Sequence, residues 1–151
     1  MSIQIDRRQT LLGVGALIGL GVAGPLRAQD VDNGWQDAVA EFTGGVTPQE
    51  GRIALDLPEV AENGASVPMA LRVDSPMTAG DHVRRVLVVA GGNPAPKVAE
   101  FRFSALSGTA EVATRIRLGR SQRVVAVAEM SDGSFHTASR MVQVTIGGCI
   151  G

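Results

Sequence analysis

Ala110-Glu111-Val112-Ala113-Thr114-Arg115-Ile116-Arg117-Leu118 is the stretch that decides the fold class. Ala110, Val112, Thr114, Ile116 and Leu118 fall on one side of an extended chain, with Glu111, Arg115 and Arg117 on the other. Successive side chains of a strand point to opposite faces, so this alternation describes a strand with one face in a core and one in water. The same period of two runs through Ile53, Leu55 and Leu57, and through Val67, Met69, Leu71 and Val73. His82 to Ala90, Lys97 to Phe103, Arg123 to Met130 and Phe135 to Ile146 read as further strands. Chain-reversing residues separate them: Glu62-Asn63-Gly64, Asp74-Ser75-Pro76, Gly91-Gly92-Asn93-Pro94, Ser107-Gly108 and Ser131-Asp132-Gly133-Ser134. Asp132-Gly133 predicts a hairpin, because both residue types tolerate positive φ. About seven strands at regular spacing with no helical crossover predict an all-β, immunoglobulin-like antiparallel β-sandwich over residues 51–146. An open barrel is the alternative.

The core of such a domain has to be aliphatic. Of 151 residues 44% are apolar but only 3% aromatic, with one Trp, four Phe and no Tyr. The formal net charge of −1 gives no long-range reason to expect nucleic acid or an anionic membrane as partner. Upstream of the sandwich, residues 29–50 hold a short helix, predicted from Trp35, Ala38, Val39 and Phe42 on one face and ended by Gly44-Gly45. It is expected to cover the end of the core.

Residues 1–28 read as an export signal. Arg7-Arg8 precede an apolar stretch of about 14 residues, Leu11 to Gly24, and Ala28 offers a small residue before a cut ahead of Gln29. A membrane span needs roughly 20 apolar residues, so the stretch suits a cleaved signal better than an anchor. The paired arginines point to the twin-arginine route and a periplasmic destination. Cleavage would leave 11 basic and 14 acidic residues, a formal charge of −3. Gly19-Leu20-Gly21-Val22-Ala23-Gly24 spells a dinucleotide fingerprint, but no strand precedes it and it lies within the signal.

One cysteine, Cys149, is present. In an exported chain it cannot form an internal disulfide, so it is either a partner-seeking thiol or a buried passenger. Its setting favours the first. The last five residues are Gly147, Gly148, Cys149, Ile150 and Gly151, a glycine-rich arm of residues 147–151 after the final strand. Glycine loses the most conformational freedom on ordering, so the arm is expected to be flexible, with a reach of roughly 16 Å when extended. The thiol has no sequence-adjacent base and lies on no predicted helix N-terminus. Such a nucleophile suits a carrier loaded inside another protein's active site and suits a self-sufficient enzyme poorly.

Other chemistry is sparse. His82 and His136 with Met69, Met77, Met130 and Met141 could in principle bind copper, but no two show a tight ligand spacing, and no metal site is expected. Paired catalytic carboxylates, zinc spacings and phosphate loops are absent from the sequence. Arg115, Arg117, Arg120 and Arg123 are most simply the solvated face of a hairpin; a docking surface for an acidic partner is the sharper reading.

From about Gly51 onward the sequence resembles the SoxY family, the covalent carrier subunits of the periplasmic thiosulfate-oxidising (Sox) pathway. The resemblance is densest in Ala61-Glu62-Asn63-Gly64, Asp74-Ser75-Pro76-Met77-Thr78, Gly92-Asn93-Pro94, Thr114 to Leu118 and Val124 to Phe135, and it ends in Val144-Thr145-Ile146-Gly147-Gly148-Cys149. It implies a non-enzymatic carrier that pairs with a SoxZ-like sandwich subunit as a heterodimer. A c-type cytochrome enzyme would couple thiosulfate to Cys149 as a cysteine S-thiosulfonate, a hydrolase would release sulfate, and a dehydrogenase could oxidise the remaining sulfane sulfur. No cofactor is implied beyond these covalently held intermediates, with Gly147-Gly148 as the stem of the arm. The family tail usually reads Gly-Gly-Cys-Gly-Gly; here Ile150, a β-branched residue, stiffens and widens the tip. The alternative function is a periplasmic adaptor that uses Cys149 for an intermolecular disulfide.

Overall fold

The computed structural model describes residues 34–147. Helix α1 (Gly34–Thr43) is followed by strands β1 (Gln49–Glu50), β2 (Ile53–Asp56), β3 (Val60–Asn63), β4 (Val67–Val73), β5 (Val83–Ala90), β6 (Lys97–Arg102), β7 (Ala110–Ile116), β8 (Gln122–Met130) and β9 (Phe135–Ile146). The larger sheet has the order β1-β9-β8-β5-β6, with β3 also paired to β9; the smaller is β2-β4-β7. The predicted signal segment, residues 1–28, lies outside the described residues. No helix among those described is long and apolar enough to cross a membrane.

The sandwich follows from the alternation. β4 buries Val67, Met69, Leu71 and Val73 and leaves Pro68 and Arg72 in solvent. These side chains meet Val86, Val88, Val124, Ala126, Ala128 and Val142 of the larger sheet in one core. Each fully buried Val or Leu there contributes about 1.5–3 kcal/mol relative to exposure. β7 is less regular than its sequence suggests: Ala110 and Ile116 are buried and Val112 half-buried, but Thr114 is exposed. The Asp132-Gly133 hairpin forms as expected, with Gly133 at φ 84°. The Asp132 carboxylate accepts from the Ser134 backbone N–H at 2.8 Å and the Ser134 hydroxyl at 2.6 Å. These two bonds hold it below the usual Asp range.

Helix α1 does not sit over the end of the core. It lies on the outer face of the larger sheet, where Ala38 and Val39 with Trp35 and Phe42 cover Leu87, Val89, Val125 and Val127. β5 and β8 are therefore buried on both faces, which is why Val86 to Ala90 and Val124 to Ala128 are uninterrupted apolar runs. Arg85 fastens this layer: its guanidinium stacks 4.5 Å from the Phe42 ring centre and pairs with Glu129. The helix ends where Gly44 and Gly45 take positive φ, and the Gly45 N–H closes onto the Ala40 carbonyl at 3.0 Å.

Seven of the strands match the expected ones; β1 and β3 are additional, and both run parallel to β9. Gln49-Glu50 takes the early part of β9 and Val60–Asn63 the late part, so this edge of the sheet is lined by short strands. β3 also delivers the chain to the point where β9 ends.

Candidate functional site

β9 is the longest strand, and its last residues are held from two sides. Asn63 of β3 lies opposite Ile146, and the Gly64 N–H donates to the Ile146 carbonyl at 2.7 Å. Gly64 in turn accepts from the Leu118 N–H at 2.8 Å. From the other side the Ser121 hydroxyl accepts the Val144 N–H at 2.8 Å. The strand thus terminates in a notch between residues 63–66 and the β7–β8 turn, residues 117–121.

Gly147 occupies that notch. A Cβ at this position would stand 2.3 Å from the Gly119 carbonyl oxygen, well inside any real contact. Glycine is required here by the closeness of two backbones, a different reason from the flexibility expected of it. Gly148, Cys149, Ile150 and Gly151, the other residues assigned to the arm, lie outside the described residues.

The opposing turn is fixed from beneath. Gln122 is 2% exposed, and its amide oxygen accepts the Gly92 N–H at 2.7 Å. Its amide NH₂ donates to Asn93 Oδ1 at 2.8 Å and to the Arg120 carbonyl at 3.1 Å. Asn93 Oδ1 also accepts the Gly119 N–H at 3.1 Å, while Asn93 Nδ2 donates to the Arg117 carbonyl at 2.9 Å. Both amide side chains are satisfied, as a buried polar cluster must be. Gly92 belongs to the same arrangement, since a Cβ there would meet Arg120 Nε at 2.8 Å and Gln122 Oε1 at 3.0 Å. Asn93, Gln122, Gly119, Ser121 and Gly64 were not singled out as functional by sequence reasoning. The available signal was Gly92-Asn93-Pro94, whose polar residue has a buried partner on another strand.

The remaining chemical candidates disperse. Met69, Met77 and Met130 are core residues, and Met141 is exposed on β9. His82 is half-buried, with Nδ1 3.0 Å from the Thr78 carbonyl, and His136 is buried, its Nδ1 lacking a hydrogen-bond partner among the described residues. Among the described residues no three His, Cys, Asp or Glu side chains gather as a metal site would require. Arg115, Arg117, Arg120 and Arg123 are all exposed, but they do not form one group, since Arg123 lies beside Trp35 and Glu50 on the helix-covered face of the larger sheet. Arg115 donates to the Ser66 hydroxyl at 3.2 Å.

Residues 39–149 match the family described as sulfur oxidation protein SoxY, and the match ends on Cys149. Among solved structures, the sulfur carrier protein SoxY from Chlorobium limicola f thiosulfatophilum is 32% identical with a TM-score of 0.60; the alignment covers 74% of this chain and 96% of that one. Superoxide reductase (neelaredoxin) from Ignicoccus hospitalis aligns at a TM-score of 0.55 and 15% identity, covering 62% of this chain and 80% of that one. Superoxide reductase from Nanoarchaeum equitans aligns at 0.53 and 10% identity, covering 63% and 99%. At such identities the likeness to the reductases is one of fold alone. No curated protein matches the sequence. With the family match spanning the sandwich and running into the arm, the chain belongs to the SoxY family of sulfur oxidation proteins.

Proposed function

We propose that this protein is a sulfur carrier that holds pathway intermediates covalently on Cys149 while other enzymes act on them. The observation that carries the reading is the end of β9: a strand anchored by Gly64 and Ser121 ends at Ile146, three residues before the only cysteine of the sequence. A thiol so placed is carried on a short stem from a rigid base, the requirement for presentation to a partner's active site.

The chemistry balances as follows. The Cys149 thiolate and thiosulfate join through a new S–S bond to give the cysteine S-thiosulfonate, and two electrons leave to a c-type cytochrome partner. Water then attacks the terminal sulfonate sulfur, the S–S bond to it breaks, and sulfate and two protons leave a persulfide on Cys149. A dehydrogenase partner can oxidise that remaining sulfur. The protein itself contributes the thiol and its placement, and catalysis belongs to the partners. Export by the twin-arginine route to the periplasm fits the arginine pair and apolar stretch at the N-terminus. A heterodimer with a SoxZ-like sandwich subunit is supported by the outer edges of β6 and β7, which pair with no further strand among the described residues. Leu106, 97% exposed, projects from the turn joining these two strands.

The test is mass spectrometry of the protein from cells grown on thiosulfate, beside Cys149→Ser. Reductant-labile sulfur adducts confined to Cys149, and loss of sulfur-dependent electron transfer in the serine variant with unchanged folding, are the expected results. Full transfer in Cys149→Ser would end the carrier reading, and a homodimeric disulfide as the sole modification would favour an adaptor.

A further inference from the structure

The edge that β9 gives the larger sheet is covered at both ends and open between them. β1 pairs with His136 and Thr137, and β3 with Gln143, Val144 and Ile146. Between these two strands the chain leaves for the smaller sheet as β2, so residues 138–142 have no strand beside them on that edge. Two bonds show which backbone groups point outward there. The Gly51 N–H donates to the Thr137 carbonyl at 3.4 Å, and the Gln143 N–H to the Glu59 carbonyl at 2.8 Å. Direction alternates along a strand, so Thr137, Ser139, Met141 and Gln143 turn N–H and C=O to this edge, while Ala138, Arg140 and Val142 bond to β8. Among the described residues, the N–H and C=O of Ser139 and Met141 are thus left without a strand partner. Exposed edges are ordinarily blunted by Pro, Lys, a bulge or an inward charge. Residues 138–142 hold no Pro or Lys, and the β8–β9 register runs through them unbroken. The one charge, Arg140, donates from Nε to the Leu55 carbonyl at 3.3 Å, which draws its side chain across to the smaller sheet. Of the five exposed large apolar side chains among the described residues, three, Val60, Met141 and Ile146, lie on β3 and β9. Single exposed apolar residues need no explanation, but their gathering on one edge does.

We propose that this open stretch of β9 takes an extended peptide segment of a transiently bound protein, which adds itself as a strand between β1 and β3. The occupant bonds through its main chain to Ser139 and Met141, as in other cases of strand addition to a sheet edge. A groove of about 490 Å³ lies beside the gap, lined by Asp56, Leu57, Glu59, Arg140, Met141 and Gln143. With one guanidinium and two carboxylates it favours no small ion of either sign. What it offers consistently is main-chain donors and acceptors at strand spacing, which an extended peptide matches and a free ion does not. The flanking strands leave room for about three residues of a new strand. Such a contact is far smaller than the roughly 800 Å² per side of a stable complex, so its occupant comes and goes. It also lies on the opposite side of the larger sheet from β6, the edge suited to a lasting subunit. Met141 precedes Ile146 by five residues, about 17 Å along the strand, so a segment docked here holds its protein beside the end of β9. Naming the occupant as an enzyme that acts on the carrier rests on the carrier reading; the open edge does not.

The test is amide hydrogen exchange of the full chain, followed by NMR, alone and with the purified cytochrome or hydrolase partner. In the chain alone the Ser139 and Met141 amides should exchange at least about a hundredfold faster than those of Ala138, Arg140 and Val142, which bond to β8. Equal protection across the five would overturn the open edge. Addition of a partner enzyme should slow Ser139 and Met141 by about tenfold or more, and the SoxZ-like subunit should leave them as they were. Ser139→Pro removes an N–H that has no strand partner and keeps the ladder to β8, so the fold should stand while affinity for the enzyme falls about tenfold. Exchange in the parent chain needs no variant and decides the same point if the proline is not accommodated. Unchanged fast exchange with both enzymes overturns the proposal, as does protection conferred by the SoxZ-like subunit alone. Protection by an enzyme together with an absence of sulfur adducts in cells would uphold the docking edge while removing the carrier reading.

Discussion

Gly147→Ala is the smallest perturbation that tests the arm root. The added Cβ would stand 2.3 Å from Gly119 O and 3.3 Å from Gly119 C, so relief requires the two backbones to part by about 1 Å. Two movements can supply that. In one, the β7–β8 turn gives way, and with it the bonds of Asn93 to Gly119 and Arg117 and of Gln122 to Arg120. Losing those three bonds would cost about 1 kcal/mol each, so the turn should hold. In the other, the strand end swings out and loses mainly the Gly64 to Ile146 bond, about 1 kcal/mol. The second is cheaper. Thermal unfolding of Gly147→Ala should therefore fall by only about 3–5 °C. Amide exchange at Gly64 should accelerate selectively, while Leu118 keeps its protection. Partner-catalysed loading of Cys149 should fall by at least about tenfold, since a misplacement of about 1 Å can cost that much in a positioned reaction. Alkylation by a small neutral reagent should stay near the parent rate. Parent-like exchange at Gly64 with parent-like loading would refute the close approach of Gly147 to Gly119 and the fixed root built on it.

The platform under the root can be tested by Gln122→Met, which keeps volume and removes the amide; it strands the Gly92 N–H and the Arg120 carbonyl, and urea unfolding should show a loss of about 2–4 kcal/mol. Ser134→Ala removes the hydroxyl that is the largest influence on Asp132, leaving the backbone N–H. The Asp132 titration followed by NMR should move up toward its ordinary 3.8. A depressed carboxyl stabilises the fold above its unfolded value and loses that contribution as pH falls through the folded one, so the stability gap between parent and Ser134→Ala should be largest near neutrality and close in acid. A gap that widened on acidification would contradict the assigned bonds.

The sandwich was legible because a buried face repeats every second residue, and seven strands announced themselves in this way. β1 and β3 did not. Gln49-Glu50 has no apolar side chain, and in Val60–Asn63 only Ala61 is buried, so neither strand writes a period; both exist because β9 offers backbone donors and acceptors at its edge. The helix was found by its apolar spacing but placed wrongly over the end of the core. The clue to its place was in other segments, since five consecutive apolar residues from Val86 and from Val124 leave no face for water. At the site, sequence pointed to Cys149 through its isolation and its glycines. It could not reveal that Gly147 is dictated by Gly119, because a contact between residues 28 positions apart leaves no local pattern.

That distinction bears on how a short arm can work. A thiol on a free tail of five residues would sample a volume set by all of them, and every residue ordered on entry to a partner's site would cost about 1–2 kcal/mol of backbone entropy. Seating Gly147 in the notch removes the first of those residues from the account before any encounter takes place. The amide pair of Asn93 and Gln122 then has a purpose beyond filling a turn: it holds Gly119 rigid enough for a single missing Cβ to set the origin of the arm. Gly147 is required by space, a demand that freedom of rotation does not enter.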